Sequence, residues 1–196
     1  MNNKELMKLE LLNELNEYKK QLMYLKDLNE VYKHMMCLND ERKAIAPNFF
    51  LIIEGALIDS YMMSLGRLYD KSKQTKTIIK LINRFSSGAA LFNNKKELLD
   101  NLNHFKENIE KDEEISETIK IIQERRDLFF AHNDKKFFGE KINDYEAYLP
   151  NYKVWELISF TESILKYLYK QFSIDENFNC KYDRDFEKLI IHNLNK

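Results

Sequence analysis

From Leu11 the apolar positions run Leu11, Leu15, Tyr18, Leu22, Leu25, Tyr32 and Met36, stepping alternately by four and three, with Asn29 filling one place in the row. That spacing lays one stripe along a helical face and predicts a single long helix over about residues 3 to 38. Such a stripe is either the core face of a bundle helix or a seam against a partner helix, where a buried Asn fixes register. Asn39, Asp40 and then Pro47 interrupt it. Phe49, Phe50, Ile52, Ile53, Ala56, Leu57, Tyr61, Met62, Leu65 and Leu68 follow, a helix apolar nearly all round and therefore expected to be the central core helix. Glu54 and Asp59 inside it lie on a thin solvated stripe or face a cleft, since an unpartnered carboxylate is costly to bury.

The remaining pattern is also helical. A third helix is predicted from Thr75 to Phe85, closed by Ser86, Ser87 and Gly88, a fourth from Asn94 to Ile109, and a fifth from Glu113 to Ala131. Residues 133–145, with Gly139 among short polar residues, read as a loop. After Pro150 a sixth helix carries Val154, Leu157, Ile158, Thr161, Ile164, Leu165 and Leu168, and the tail holds a short helix near 185–194. The expectation is an all-α helical bundle forming one compact domain. Within it, residues 1–44 form a long N-terminal helix that packs on the core or on a dimer partner, 45–172 the bundle, and 173–196 a C-terminal tail.

Composition supports long helices, because only four Gly and two Pro are present among 196 residues and sheet-rich folds need more turn formers than that. Thirteen Phe and eleven Tyr supply enough apolar surface for a core without staples. Cys37 and Cys180 are far apart with no CxxC partner, which fits a reducing, cytoplasmic setting rather than a disulfide framework. No run of eighteen uncharged apolar residues occurs, and the N-terminus carries acidic residues, so neither export nor a membrane span is expected. The net charge of −1 gives no general pull on nucleic acid and leaves any such binding to a local patch. One basic stretch qualifies: Arg67, Lys71, Lys73, Lys76, Lys80 and Arg84, opposed only by Asp70. Residues 107–117 are correspondingly acidic.

Four histidines require weighing. His34 and Cys37 share a helical face, but two soft ligands do not make a zinc site, and no metal or cofactor is expected. His104 and His192 have no companion pattern. His132 closes the run Arg125, Arg126, Asp127, Leu128, Phe129, Phe130, Ala131, His132, which gathers two guanidiniums, a carboxylate and an imidazole at the end of a helix. That set suits acid–base chemistry on a phosphodiester, because imidazole titrates near neutral pH and a guanidinium stays charged beside a developing phosphorane. The same residues also fit a plain helix terminus, with His132 on the dipole and the arginines paired to Glu124 or Asp127. In an unbroken helix Arg125 and His132 share a face, whereas Arg126 falls roughly 120° away from His132.

Arg126 followed by Asp127, four residues ending in Ala131, then His132 and Asn133–Asp134 resembles the arginine-to-histidine motif of the HEPN superfamily, and most closely its AbiU type of abortive phage infection proteins. The segment 64–72, Ser-Leu-Gly-Arg-Leu-Tyr-Asp-Lys-Ser, resembles the arginine, leucine and aspartate signature on the preceding core helix, and the helix over 152–172 resembles the one after the motif. The similarity spans about residues 45–172. The resemblance implies a bundle that dimerises to bring two motifs into one cleft, and a metal-independent endoribonuclease used in toxin–antitoxin or antiphage systems, with an antitoxin protein as a possible partner. It selects Arg126, Asp127 and His132 as the catalytic positions. Arg125, Arg67, Lys71, Lys73 and Lys76 would then hold RNA. Toxin members silenced by adenylylation carry a Tyr two residues after the His, where this chain has Asp134, which places control of that kind in doubt. Many members of the superfamily bind nucleotides or assemble without cutting RNA, so a non-catalytic helical dimer that recruits a partner is the alternative.

Overall fold

The computed structural model describes residues 2–36, 44, 46–71, 75–127 and 150–179. Among the described residues there are six α-helices and no strand: α1 (Asn3–Met36), α2 (Pro47–Leu68), α3 (Ile78–Ser87), α4 (Lys95–Lys111), α5 (Glu113–Arg125) and α6 (Asn151–Lys170), with a single 3₁₀ turn at Ala89–Leu91. The loop expected over 133–145 and the short helix near 185–194 lie outside the described residues.

The chain of contacts starts from α1, which lies along both α2 and α6. Its predicted stripe is the contact face: Leu11, Leu15, Tyr18, Leu22 and Leu25 are buried in one cluster with Met62, Leu65, Leu81, Phe85, Leu157, Ile158, Leu165 and Leu168. The Tyr18 hydroxyl donates to the carbonyl of Thr77 at 3.0 Å and ties α1 to the start of α3. Phe85, Phe92 and Phe172 close the far end with ring centroids 5.3 to 6.1 Å apart.

Helix starts follow capping chemistry. The Thr77 hydroxyl accepts from the backbone N–H of Lys80, and the Asp112 carboxylate accepts from Ile115 N–H at 3.0 Å, each satisfying a donor that the helix leaves open. α3 accordingly begins at Ile78 rather than Thr75, whose hydroxyl is instead donated to Asp70 at 3.2 Å.

Two expectations are corrected. Met36 is exposed and Met35 takes the buried place, because the last turns of α1 pack on a second cluster around Phe50 with Val31, Ile53 and Leu57. Apart from Phe50, α2 is buried only along its C-terminal half; Phe49, Leu51 and Ile52 are 50%, 71% and 68% exposed. Among the described residues α2 is also the one helix long and apolar enough to cross a membrane by length and composition.

Asn29 is fully buried, and neither its carboxamide nitrogen nor its oxygen has a hydrogen-bond partner. An unmade hydrogen bond of this kind costs about 1–3 kcal/mol. Asn29→Leu is therefore expected to raise the thermal midpoint by several degrees, at roughly 2–4 °C per kcal/mol for a chain of this size. A lower midpoint in calorimetry would mean that the carboxamide is needed where it is.

Candidate functional site

The motif arginine sits where α5 changes pitch. Regular α turns end at Arg125, and Arg126 and Asp127 continue in a wider π turn, while the backbone N–H of Arg126 itself still reaches back to the Ile122 and Gln123 carbonyls. Turns of this kind reorient side chains and concentrate at functional sites. The helix expected to run unbroken to Ala131 leaves α geometry at Arg126, and residues 128–131 lie outside the described residues. His132, like Asp134 and Lys73, lies outside the described residues.

The Arg126 side chain is only 16% exposed and crosses to α2. Its Nη1 donates to the carbonyl of Gly66 at 3.1 Å and lies 3.4 Å from Asp70 Oδ2. Nε and Nη2 both meet Asp127 Oδ1, at 2.8 and 2.7 Å. Burial alone would lower the guanidinium pKa, but the hydrogen bonds and charges of Asp127 and Asp70 outweigh it and the net direction is upward. Gly66 lets the arginine pass close by: a Cβ there would stand 2.9 Å from Arg126 Cδ and the side chain would have to shift. Two stretches singled out from sequence, 64–72 and 125–127, therefore form one unit, in which the signature aspartate Asp70 faces the motif arginine. Asp70 also accepts from Thr75 Oγ1, so one carboxylate joins Arg126 to the segment before α3.

Arg125 is different. Its Nε is buried without a hydrogen-bond partner, and burial lowers its pKa, opposed by the nearby Tyr61. Burial in turn pushes the Tyr61 hydroxyl well above its ordinary value, and the Tyr61 ring packs edge-on against Tyr32 at 5.8 Å. Arg126 with Asp70 and Asp127 sums to −1, so the pair of carboxylates more than offsets the arginine's own charge.

The basic stretch does not form one face. Lys80 Nζ donates to the Thr75 carbonyl at 2.5 Å, and Arg84 approaches Glu10 and Glu14 of α1 at 3.8 Å each. Arg67, Lys71 and Lys76 are exposed, and of these Arg67 and Lys76 line one groove between α1 and α2. His34 Nδ1 meets the Glu30 carbonyl at 2.8 Å, His104 is exposed near Asn108, and the described residues contain no group of three His, Cys, Asp or Glu side chains placed to hold a metal. Asp59 has its pKa raised by burial.

Sequence reasoning assigned no role to Gly66 or Thr75. The first left a signal, since glycine inside a helix costs about 1 kcal/mol against alanine and persists where something approaches closely. The second left none.

No curated protein and no solved structure matches the chain. The model of the AbiU2 family of HEPN proteins, however, matches residues 8–186, which takes in α1 as well as the bundle. The N-terminal helix, left outside the motif resemblance, thus belongs to the family's own pattern. Gly66, Asp70, Arg126 and Asp127, met above as one packed unit, all fall inside that match, and the chain belongs to the AbiU2 family of HEPN proteins.

Proposed function

We propose that this protein is a metal-independent endoribonuclease of a toxin–antitoxin or antiphage system and that it acts as a dimer. The observation that carries the reading is the Arg126 guanidinium, fixed by Gly66, Asp70 and Asp127 at the end of α5, from which the chain runs on to His132. In the reaction His132 takes the proton of a ribose 2′-hydroxyl, whose oxygen attacks the adjacent phosphorus. Arg126, oriented by Asp127, stabilises the phosphorane charge, and the 5′-oxygen leaves with the proton that His132 has taken up, giving a cyclic phosphate and a 5′-hydroxyl and returning the imidazole to its neutral form. Arg125 adds the positive charge that the two carboxylates remove, and Arg67, Lys71, Lys73 and Lys76 hold the RNA backbone. The exposed apolar residues Phe49, Leu51 and Ile52 on α2 support a face that a second copy covers, since contiguous apolar surface marks interaction sites.

A second reading has its own support. With Gly66, Asp70 and Asp127 taking most of its donors, Arg126 also suits a purely structural clamp in a non-catalytic dimer that recruits a protein such as an antitoxin. One experiment separates them. Purified full-length protein is incubated with total RNA in excess EDTA, wild type beside His132→Ala. Cleavage by the wild type alone is the expected result. Equal silence from both supports the binding module, and cutting that EDTA abolishes shows that a metal is needed.

A further inference from the structure

We infer that the groove between α1 and α2 is a stacking site for one unpaired base of an RNA strand, with Tyr24 as the platform and Arg67 and Lys76 on the flanking phosphates. The inference rests on the nuclease reading for its ligand, but on separate residues for its geometry.

The groove holds about 320 Å³ and is lined by Gln21 and Tyr24 of α1, Ser64 and Arg67 of α2, and Thr75 and Lys76. That is at the lower end of the roughly 300–1,000 Å³ of small-ligand sites, room for a nucleotide and not for a paired stem. Tyr24 is a large aromatic left 51% exposed in the wall of this groove, the arrangement by which single-stranded nucleic acid is bound without regard to sequence. Arg67 and Lys76 form no ion pair among the described residues; Lys76 feels the charge of Glu17, but that carboxylate is bonded to Lys20 at 2.7 Å. Both cations are therefore open to phosphate. Gln21 offers a donor and an acceptor, and Ser64 a hydroxyl, to the edge of a base or to a 2′-hydroxyl.

Position ties the groove to the motif. Thr75 in its wall donates to Asp70 Oδ2, the oxygen that faces Arg126 Nη1 at 3.4 Å. Through Thr75 and Asp70 the wall of the groove is thus joined to the Arg126 unit. A duplex cannot use this site, because its bases are already stacked and paired.

The test is fluorescence anisotropy of the full-length protein with a 2′-O-methyl oligonucleotide, which 2′-hydroxyl attack cannot cleave, so binding is read apart from catalysis. Tyr24→Ala is expected to weaken single-strand binding about tenfold with the salt dependence unchanged, while Tyr24→Phe keeps the affinity. Arg67→Gln is expected to reduce the slope of log K against log salt by about 0.7. The matching hairpin duplex should bind more weakly and without sensitivity to Tyr24→Ala. Adenosine monophosphate competing as well as the oligonucleotide would reassign the groove to a free nucleotide. Absence of binding by the wild type, or equal binding by Tyr24→Ala, overturns the inference while leaving the cleavage assay to stand by itself. Tyr24-dependent binding with no cleavage sinks the nuclease and keeps the groove.

Discussion

Arg126→Lys is expected to slow RNA cleavage by about a hundred- to a thousandfold, the usual loss when one preorganised donor to a transition-state anion is removed. A lysine ammonium reaching α2 cannot meet the Gly66 carbonyl, Asp70 and Asp127 together, as the planar guanidinium does. Asp70→Asn is expected to lower the rate by a smaller factor and through the same route, because Asp70 acts by holding Arg126 and Thr75. Residues that work as a unit are not additive, so the double variant should be no slower than Arg126→Lys alone. Single-turnover rates on a short fluorogenic RNA in EDTA, with urea unfolding of each variant alongside, give the cycle. Multiplying rather than saturating losses would mean that Asp70 acts separately from the arginine. Unchanged rates with lowered stability would make Arg126 a structural clamp and favour the binding module.

How far the sequence reached depended on what each position has to contact. The α1 stripe was readable because one face meets one continuous core, so periodicity alone located Leu15, Leu22 and Leu25. The stripe failed at Met36, where the neighbour changes to the cluster around Phe50 and a residue roughly 100° round the helix is buried instead. In α2 the apolar positions are too many to define a face, and nothing local says that Phe49, Leu51 and Ile52 remain uncovered while Met62 and Leu65 are enclosed. At the site, Arg126 and Asp127 were visible as a motif, and Asp70 as part of a second one. Their contact was not, since it depends on the crossing of α2 and α5 and on the missing side chain of Gly66. The basic stretch misled for the same reason: tertiary partners on α1 neutralise Arg84, and a backbone carbonyl takes up Lys80, leaving Arg67 and Lys76 to share a groove with a tyrosine that no local pattern marks.

The position of that tyrosine depends on how α1 is fastened to α6, where a largely buried ion pair adds to the apolar stripe. Lys26 of α1 lies 2.6 Å from Glu162 of α6 and also donates to the Phe178 carbonyl, and Glu162 meets Lys166 at 2.6 Å. The Lys26 and Glu162 side chains are only 10% and 17% exposed, so Glu162→Leu leaves a largely buried ammonium with a carbonyl as its remaining partner. Breaking one side of a buried pair costs about 3–5 kcal/mol, and the thermal midpoint should fall by about 6–20 °C. Burial would raise the Glu162 pKa, but the hydrogen bonds and charges of Lys166 and Lys26 outweigh it, and the net direction is downward. A depressed folded value means that the contribution is present above the ordinary carboxylate range, near pH 4.3, and is lost as pH falls through the folded value. The gap between wild type and Glu162→Leu in urea unfolding should therefore be full at pH 7 and close as the pH drops below about 4. Lys26→Met with Glu162→Leu removes both charges and should recover most of the loss, because the single variant suffers from the orphaned cation rather than from the missing pair. If the double variant is as unstable as the single one, α1 is held by the shape of its apolar stripe, and the ion pair contributes little.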